Sequence, residues 1–140
     1  MTVAMTDTMI LQRVVGLMPS LSGRVPGLSL VYLFGSTTKG QRHPASDIDL
    51  ALLAAAPLGQ VERFDLAAWL ADELGADVDL IDLSSASTVM QKEVVAHALL
   101  VFGSESARAA FEGRVLSAYA RLNEERRPIL ERIAREGRVL

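Results

Sequence analysis

Hydrophobic and polar positions alternate along this chain with two different periods. From Asp7 to Leu21, the apolar residues Ile10, Leu11, Val14, Val15 and Met18 recur at helical spacing, and Thr6 or Asp7 can cap the start. Pro26 and Gly27 interrupt the pattern. Leu28 to Phe34 (LSLVYLF) is then a short, β-rich apolar run closed by Gly35, which predicts a buried strand. The polar stretch from Gly35 to Ser46, GSTTKGQRHPAS, carries two glycines and Pro44, and reads as a loop or a loop with one helical turn. Asp47 to Leu53 (DIDLALL) follows as a second strand, whose alternation sets Asp47 and Asp49 on one side and Ile48 and Leu50 on the other.

Pro57 to Leu74 predicts a helix that buries Val61, Phe64, Leu66, Trp69, Leu70 and Leu74, with Gly75 placed to end it. Asp77 to Leu83 (DVDLIDL) alternates acidic and apolar residues and predicts a third strand. A helix from about Ala86 to His97 and a short strand, Leu99 to Phe102, come next. From Ser104 to Gly137 the pattern is helical again with Pro128 inside it. A proline costs about 3 kcal/mol in an unbroken helix, so two helices, or one kinked between Asn123 and Pro128, are expected. The order α-β-loop-β-α-β-α-β-α predicts a mixed α/β domain.

Length and composition narrow the classes. With 140 residues, half of them apolar, the chain is expected to be a single domain, 1–140, able to bury a core without disulfides or a structural metal. The absence of cysteine excludes a disulfide framework, a thiolate zinc site and a cysteine nucleophile. The two histidines, His43 and His97, are too few and too far apart for a metal cluster. A net charge of -3 argues against a nucleic-acid-binding surface. The first residues carry no basic leader, and their apolar positions are broken by Thr, Asp, Gln and Arg well short of a spanning length, so a cytosolic protein without a membrane anchor is expected.

The chemistry concentrates in one stretch: Gly35-Ser36, ten further residues, then Asp47-Ile48-Asp49. A glycine at the exit of a buried strand lets the backbone come close to a ligand. Ser36 and the N–H groups after it can donate to phosphate oxygens. Residues two apart on a strand point the same way and are separated by roughly 6.6 Å, so Asp47 and Asp49 can converge on divalent cations. Two such ions about 3.5–4 Å apart suit an in-line displacement at phosphorus, and hard oxygen ligands suit Mg²⁺.

The segment LFGSTTKGQRHPASDIDLALL resembles the signature of the DNA polymerase β-like nucleotidyltransferase superfamily, Gly-Ser, ten residues, Asp-x-Asp, in its minimal single-domain form. The resemblance implies that superfamily's fold, a mixed sheet flanked by helices, with a nucleoside triphosphate held at Gly35 and Ser36 and Mg²⁺ held at Asp47 and Asp49. It also implies a third carboxylate from a later strand. ADVDLIDL looks like that strand, and Val78-Asp79-Leu80 matches its pattern best, so Asp79 takes the role. Asp77 shares its face and is the alternative, whereas Asp82 has the opposite parity.

The rest of the chain, including LLVFGSESARAAFEGRVLSAYARL, is similar to the minimal nucleotidyltransferase antitoxins paired with HEPN-domain ribonuclease toxins. That resemblance implies Mg²⁺-dependent transfer of AMP from ATP to a tyrosine of a separate toxin chain, with two ions at the site and the toxin as a hetero-oligomeric partner. Two rival readings remain at this level: a nucleotidyltransferase acting on a small molecule such as an aminoglycoside, and a non-catalytic antitoxin that neutralises its partner by contact. Lys39 and Arg42 either steer the triphosphate or are solvated loop cations, and Ser46 either orients Asp47 or caps a turn. Leu122, Ile129, Leu130 and Ile133 are either the edge of a solvated helix or a partner-docking stripe.

Overall fold

The computed structural model describes residues 7–35 and 47–136. Ser36, Lys39, Arg42, His43 and Ser46, singled out above, lie outside the described residues. The elements are α1 (Asp7–Arg24), β1 (Leu30–Phe34), β2 (Ile48–Leu53), α2 (Gln60–Leu74), β3 (Val78–Asp82), α3 (Thr88–His97), β4 (Leu99–Phe102) and α4 (Glu105–Glu136). This is the predicted order.

The strands form one sheet in the order β3-β2-β1-β4. β1 is antiparallel to both β2 and β4, while β2 and β3 are parallel. The parallel pair requires a crossover, and α2 supplies it. Alternation sorts the strand residues onto two faces. Val31, Leu33, Ile48, Leu50, Leu52 and Leu80 pack with Ile10, Val14, Met18 and Leu21 of α1 and with Leu66, Leu70 and Leu74 of α2. On the other face, Leu30, Tyr32, Ala51 and Leu83 pack with Val94 of α3 and with Phe111 and Val115 of α4. A sheet covered on both faces explains the nearly continuous apolar runs of its two central strands.

α2 corrects one expectation. Val61 and Phe64 are each 74% exposed, although they were predicted to be buried. The stripe facing the core is Leu66, Leu70 and Leu74, spaced by four. Phe64 precedes Leu66 by two residues, about 200° around the helix, and so points to solvent. Trp69 is half-buried, with the Arg24 guanidinium 4.2 Å from its ring centroid. The helix begins at Gln60 rather than Pro57, where the Gly59 N–H donates to Glu62 (3.1 Å). It ends as predicted at Gly75, whose φ of 68° and N–H bond to the Ala71 carbonyl (2.8 Å) form a left-handed cap.

α4 decides between the two expected forms of the C-terminal run: it is one helix of 32 residues with Pro128 inside. Every residue from 123 to 135 is exposed, so water can reach the carbonyl that Pro128 leaves without a donor. Pro19 is likewise accommodated at an exposed position of α1.

Candidate functional site

The ends of β1, β2 and β3 that carry the sequence-predicted residues lie together at one edge of the sheet. Asp49 of β2 is the register partner of Phe34 on one side and of Asp79 on the other. Register partners on neighbouring strands point to the same face with backbones about 5 Å apart. Asp49 and Asp79 therefore share the face on which Tyr32, Ala51 and Ile81 meet α3 and α4. Asp49 is half-buried and Asp79 exposed.

Asp47 immediately precedes β2 and Asp77 immediately precedes β3, both exposed. The Ile48 N–H donates to the Asp77 carbonyl at 2.8 Å, extending the ladder by one step. Thus Asp49 faces Asp79 across the parallel pair, and Asp77 lies two residues nearer the strand entrance, alongside Asp47. Asp82 belongs to the other face and is 7% exposed. It accepts from the Leu58 N–H (2.8 Å), the Ser84 N–H (3.1 Å) and the hydroxyls of Ser84 (2.7 Å) and Ser85 (3.3 Å). Burial pushes its carboxyl up, but these donors together outweigh burial and hold it below the usual carboxylate value. Asp82 ties the exit of β3 to the segment ahead of α2, and its oxygens are taken up in that role.

Gly35 ends β1 in a turn with φ +82°. Its role reaches beyond the close approach foreseen from the sequence. A Cβ placed on it would stand 3.0 Å from Asp49 Cγ and overlap Oδ2. The missing side chain is the space in which the Asp49 carboxylate sits. This dependence was not legible in the sequence, because the antiparallel register that brings the two together is set by strands β1 and β2 as a pair.

A second contact missed from the sequence couples the central strand to α4. Tyr32, in the buried core, donates its hydroxyl to Glu112 Oε2 (3.1 Å), and Arg108 Nε donates to the same oxygen (2.7 Å). Burial, then the hydrogen bond to Glu112 and that carboxylate's charge, push the Tyr32 phenol well above its ordinary range. The signal was there: a tyrosine in an apolar strand needs a partner for its hydroxyl, and Arg108 and Glu112 stand four apart on one helix face.

For a cation, the side-chain donors among the described residues at this edge, Asp47, Asp49, Asp77 and Asp79, are carboxylates, the chemistry that Mg²⁺ accepts. Among the described residues, no group of three His, Cys, Asp or Glu is gathered into a ready-made metal cluster. The acids stand on two neighbouring strands, Asp47 and Asp49 at β2 and Asp77 and Asp79 at β3, and Mg²⁺ shared between them would complete its shell from substrate phosphates and water. No helix among the described residues is long and apolar enough to cross a membrane.

The sequence pattern of the polymerase beta nucleotidyltransferases matches residues 21–107. The protein adenylyltransferase MntA of Shewanella oneidensis is 42% identical over 111 residues, which cover 79% of this chain and 80% of that protein. Among solved structures, a toxin–antitoxin with AMP-PNP matches with a TM-score of 0.77 and 38% identity, over 89% of this chain and 98% of that one. The MNT antitoxin in complex with a tri-AMPylated Shewanella oneidensis HEPN toxin matches with a TM-score of 0.73 and 34% identity, over 92% and 99% of the respective chains. The match over residues 21–107 contains β1 to β4 and Asp47, Asp49, Asp77, Asp79 and Asp82, and with the relatives' extended identity it shows that the chain belongs to the polymerase β nucleotidyltransferase family.

Proposed function

We propose that this chain transfers AMP from ATP to a hydroxyl of a HEPN-domain toxin and so acts as that toxin's antitoxin. The observation that carries the proposal is the acid array at the strand ends. Asp49 is fitted against the bare backbone of Gly35 and stands in register with Asp79, in a chain 42% identical to a protein adenylyltransferase. The solved relatives bound to AMP-PNP or to an AMPylated HEPN toxin support ATP as donor and the toxin as acceptor and partner.

In this reading, Gly35 and Ser36 hold the β- and γ-phosphates through backbone and hydroxyl donors. Asp47, Asp49 and Asp79 hold Mg²⁺, which, when bound, neutralises phosphate charge and favours in-line displacement. The acceptor oxygen attacks the α-phosphorus; its bond to phosphorus forms as the bond to the bridging oxygen breaks, and pyrophosphate leaves. Asp79, on the exposed strand edge, takes the proton of the attacking hydroxyl. The chain's contribution is positioning and a fixed negative array, the terms that dominate phosphoryl-type transfer. Asp79 is preferred to Asp77 because it is the register partner of Asp49. The setting is the cytoplasm, where ATP and a ribonuclease toxin meet.

The test is intact mass spectrometry of the HEPN-domain partner before and after ATP and Mg²⁺ are added. A gain of one or more adenylyl units is expected with wild type and none with Asp47→Asn or Asp49→Asn, both folded by circular dichroism. Full transfer by either variant would overturn the assignment.

A further inference from the structure

The second half of α4 stands clear of the domain. In the first half, Phe111 and Val115 are buried in the core, and Ala107, Arg108, Glu112, Ala118, Tyr119 and Leu122 are half-buried, spaced three and four apart on one face. From residue 123 to 135 every position is exposed, a projection of about 20 Å. The apolar stripe does not stop where the domain stops. Ile129 lies two turns beyond Leu122 on the same line, Ile133 continues the neighbouring line through Tyr119, and Leu130 flanks them beside the line of Leu116. Leu116, Ile129, Leu130 and Ile133 are 43% to 60% exposed.

The projecting half gains nothing from packing on the domain, the source of most helical stability in proteins, and an aligned stripe left open to solvent on it calls for a cover. Charge selects the kind of cover. Between residues 121 and 136 the helix carries Arg121, Arg126, Arg127, Arg132 and Arg135 against Glu124, Glu125, Glu131 and Glu136. That near balance gives neither a nucleic acid nor an anionic lipid surface a net attraction. It suits the mixed-charge flanks of a protein contact around an apolar seam. The likeness to solved complexes selects the partner. The antitoxin chain found with a HEPN toxin matches 92% of this chain, which leaves about 11 of 140 residues unmatched, fewer than the 13 of the projection. The projection is therefore shared, at least in part, with a chain that is assembled with such a toxin.

Resting on the function proposed above, we infer that the projecting half of α4 is the docking arm for the acceptor toxin, with Leu122, Ile129 and Ile133 forming the seam and an apolar protein surface on the toxin covering it. The arm recruits the acceptor and takes no part in the chemistry.

The test compares the full-length wild type with Ile129→Glu/Ile133→Glu, both changes at exposed positions. The readouts are ATP affinity, the kinetics of AMP transfer to the HEPN-domain toxin, and amide hydrogen exchange of the arm with and without the toxin. Two interfacial apolar side chains lost to charge are expected to raise the KM for toxin by about tenfold or more, with kcat at saturating toxin and ATP affinity within about twofold. Arm amides should exchange quickly in the free protein and slow in the complex. An unchanged KM and an unprotected arm in a wild type that does transfer AMP would overturn the inference and leave the function standing. Arm-dependent toxin binding without any AMP transfer would do the reverse. Sedimentation showing that the arm pairs two copies of this chain, with toxin binding indifferent to the substitutions, would also overturn it.

Discussion

Replacing Gly35 by Ala tests whether the Asp49 carboxylate is held by the absence of a side chain. Two effects follow from the geometry. The backbone at φ +82° is a conformation that an L side chain resists, at a cost of about 1–2 kcal/mol. A native domain has about 5–15 kcal/mol in hand, so the variant stays folded with a lowered melting temperature. The second effect falls on the site. The new methyl would lie 3.0 Å from Asp49 Cγ and 3.4 Å from its Cβ, and would overlap Oδ2. Carbon atoms settle near 3.5–4.0 Å, so the carboxylate must turn or retreat by something approaching 1 Å. A misplacement of that order costs about 100-fold in rate. The assay is single-turnover AMP transfer to the toxin at saturating ATP, beside a thermal melt. Because the overlap is with the Asp49 carboxylate, Gly35→Ala combined with Asp49→Ala should be destabilised by less than the two changes summed. A Gly35→Ala protein with a single-turnover rate within about threefold of wild type, or destabilisations that simply add in the double variant, would refute the reasoning.

Two further outcomes concern stability and pH. Asp82→Asn keeps one acceptor but loses the charge and the second carboxylate oxygen, leaving a donor among Leu58, Ser84 and Ser85 unmet, and should cost about 1–3 kcal/mol in urea unfolding. Since the folded state lowers the Asp82 pKa, this contribution is complete above the ordinary carboxylate value and fades as pH falls through the lowered one, so wild type and variant should converge in acid, below about pH 4. Tyr32→Phe tests the opposite sign. The raised Tyr32 pKa stabilises the fold fully below the ordinary phenol value of about 10 and progressively less above it, so thermal melts above about pH 10 should fall more steeply for wild type than for Tyr32→Phe.

Element order and type were legible because each segment repeats one period and is closed by its own punctuation, as Gly75 closes α2. Face assignment was less legible where a segment carries more apolar residues than its buried stripe needs. Val61 and Phe64 belong to α2's composition but not to its inner line, which only the packing of Leu66, Leu70 and Leu74 against the sheet defines. At Pro128 the sequence left two helices and one kinked helix both open, because a proline's local cost does not say whether the chain continues beyond it. At the site, spacing gave Gly35, Ser36, Asp47 and Asp49 as candidates, and the resemblance preferred Asp79 to Asp77, which shares its parity. The register between β2 and β3, which sets Asp79 opposite Asp49 and Asp77 alongside Asp47, is a property of the pair that neither strand encodes by itself.

Strand order sets how firmly each acid is held. Among the described residues, β2 is hydrogen-bonded on both sides, by β1 and by β3, whereas β3 is bonded on one side only. Exposing the Asp49 backbone means parting two ladders, and exposing that of Asp79 means lifting a single border strand, so their amides should exchange through openings of different size. In the function proposed above, a bulky triphosphate arriving at this rim would meet one acid on a strand clasped from both sides and one on a border strand that lifts more readily.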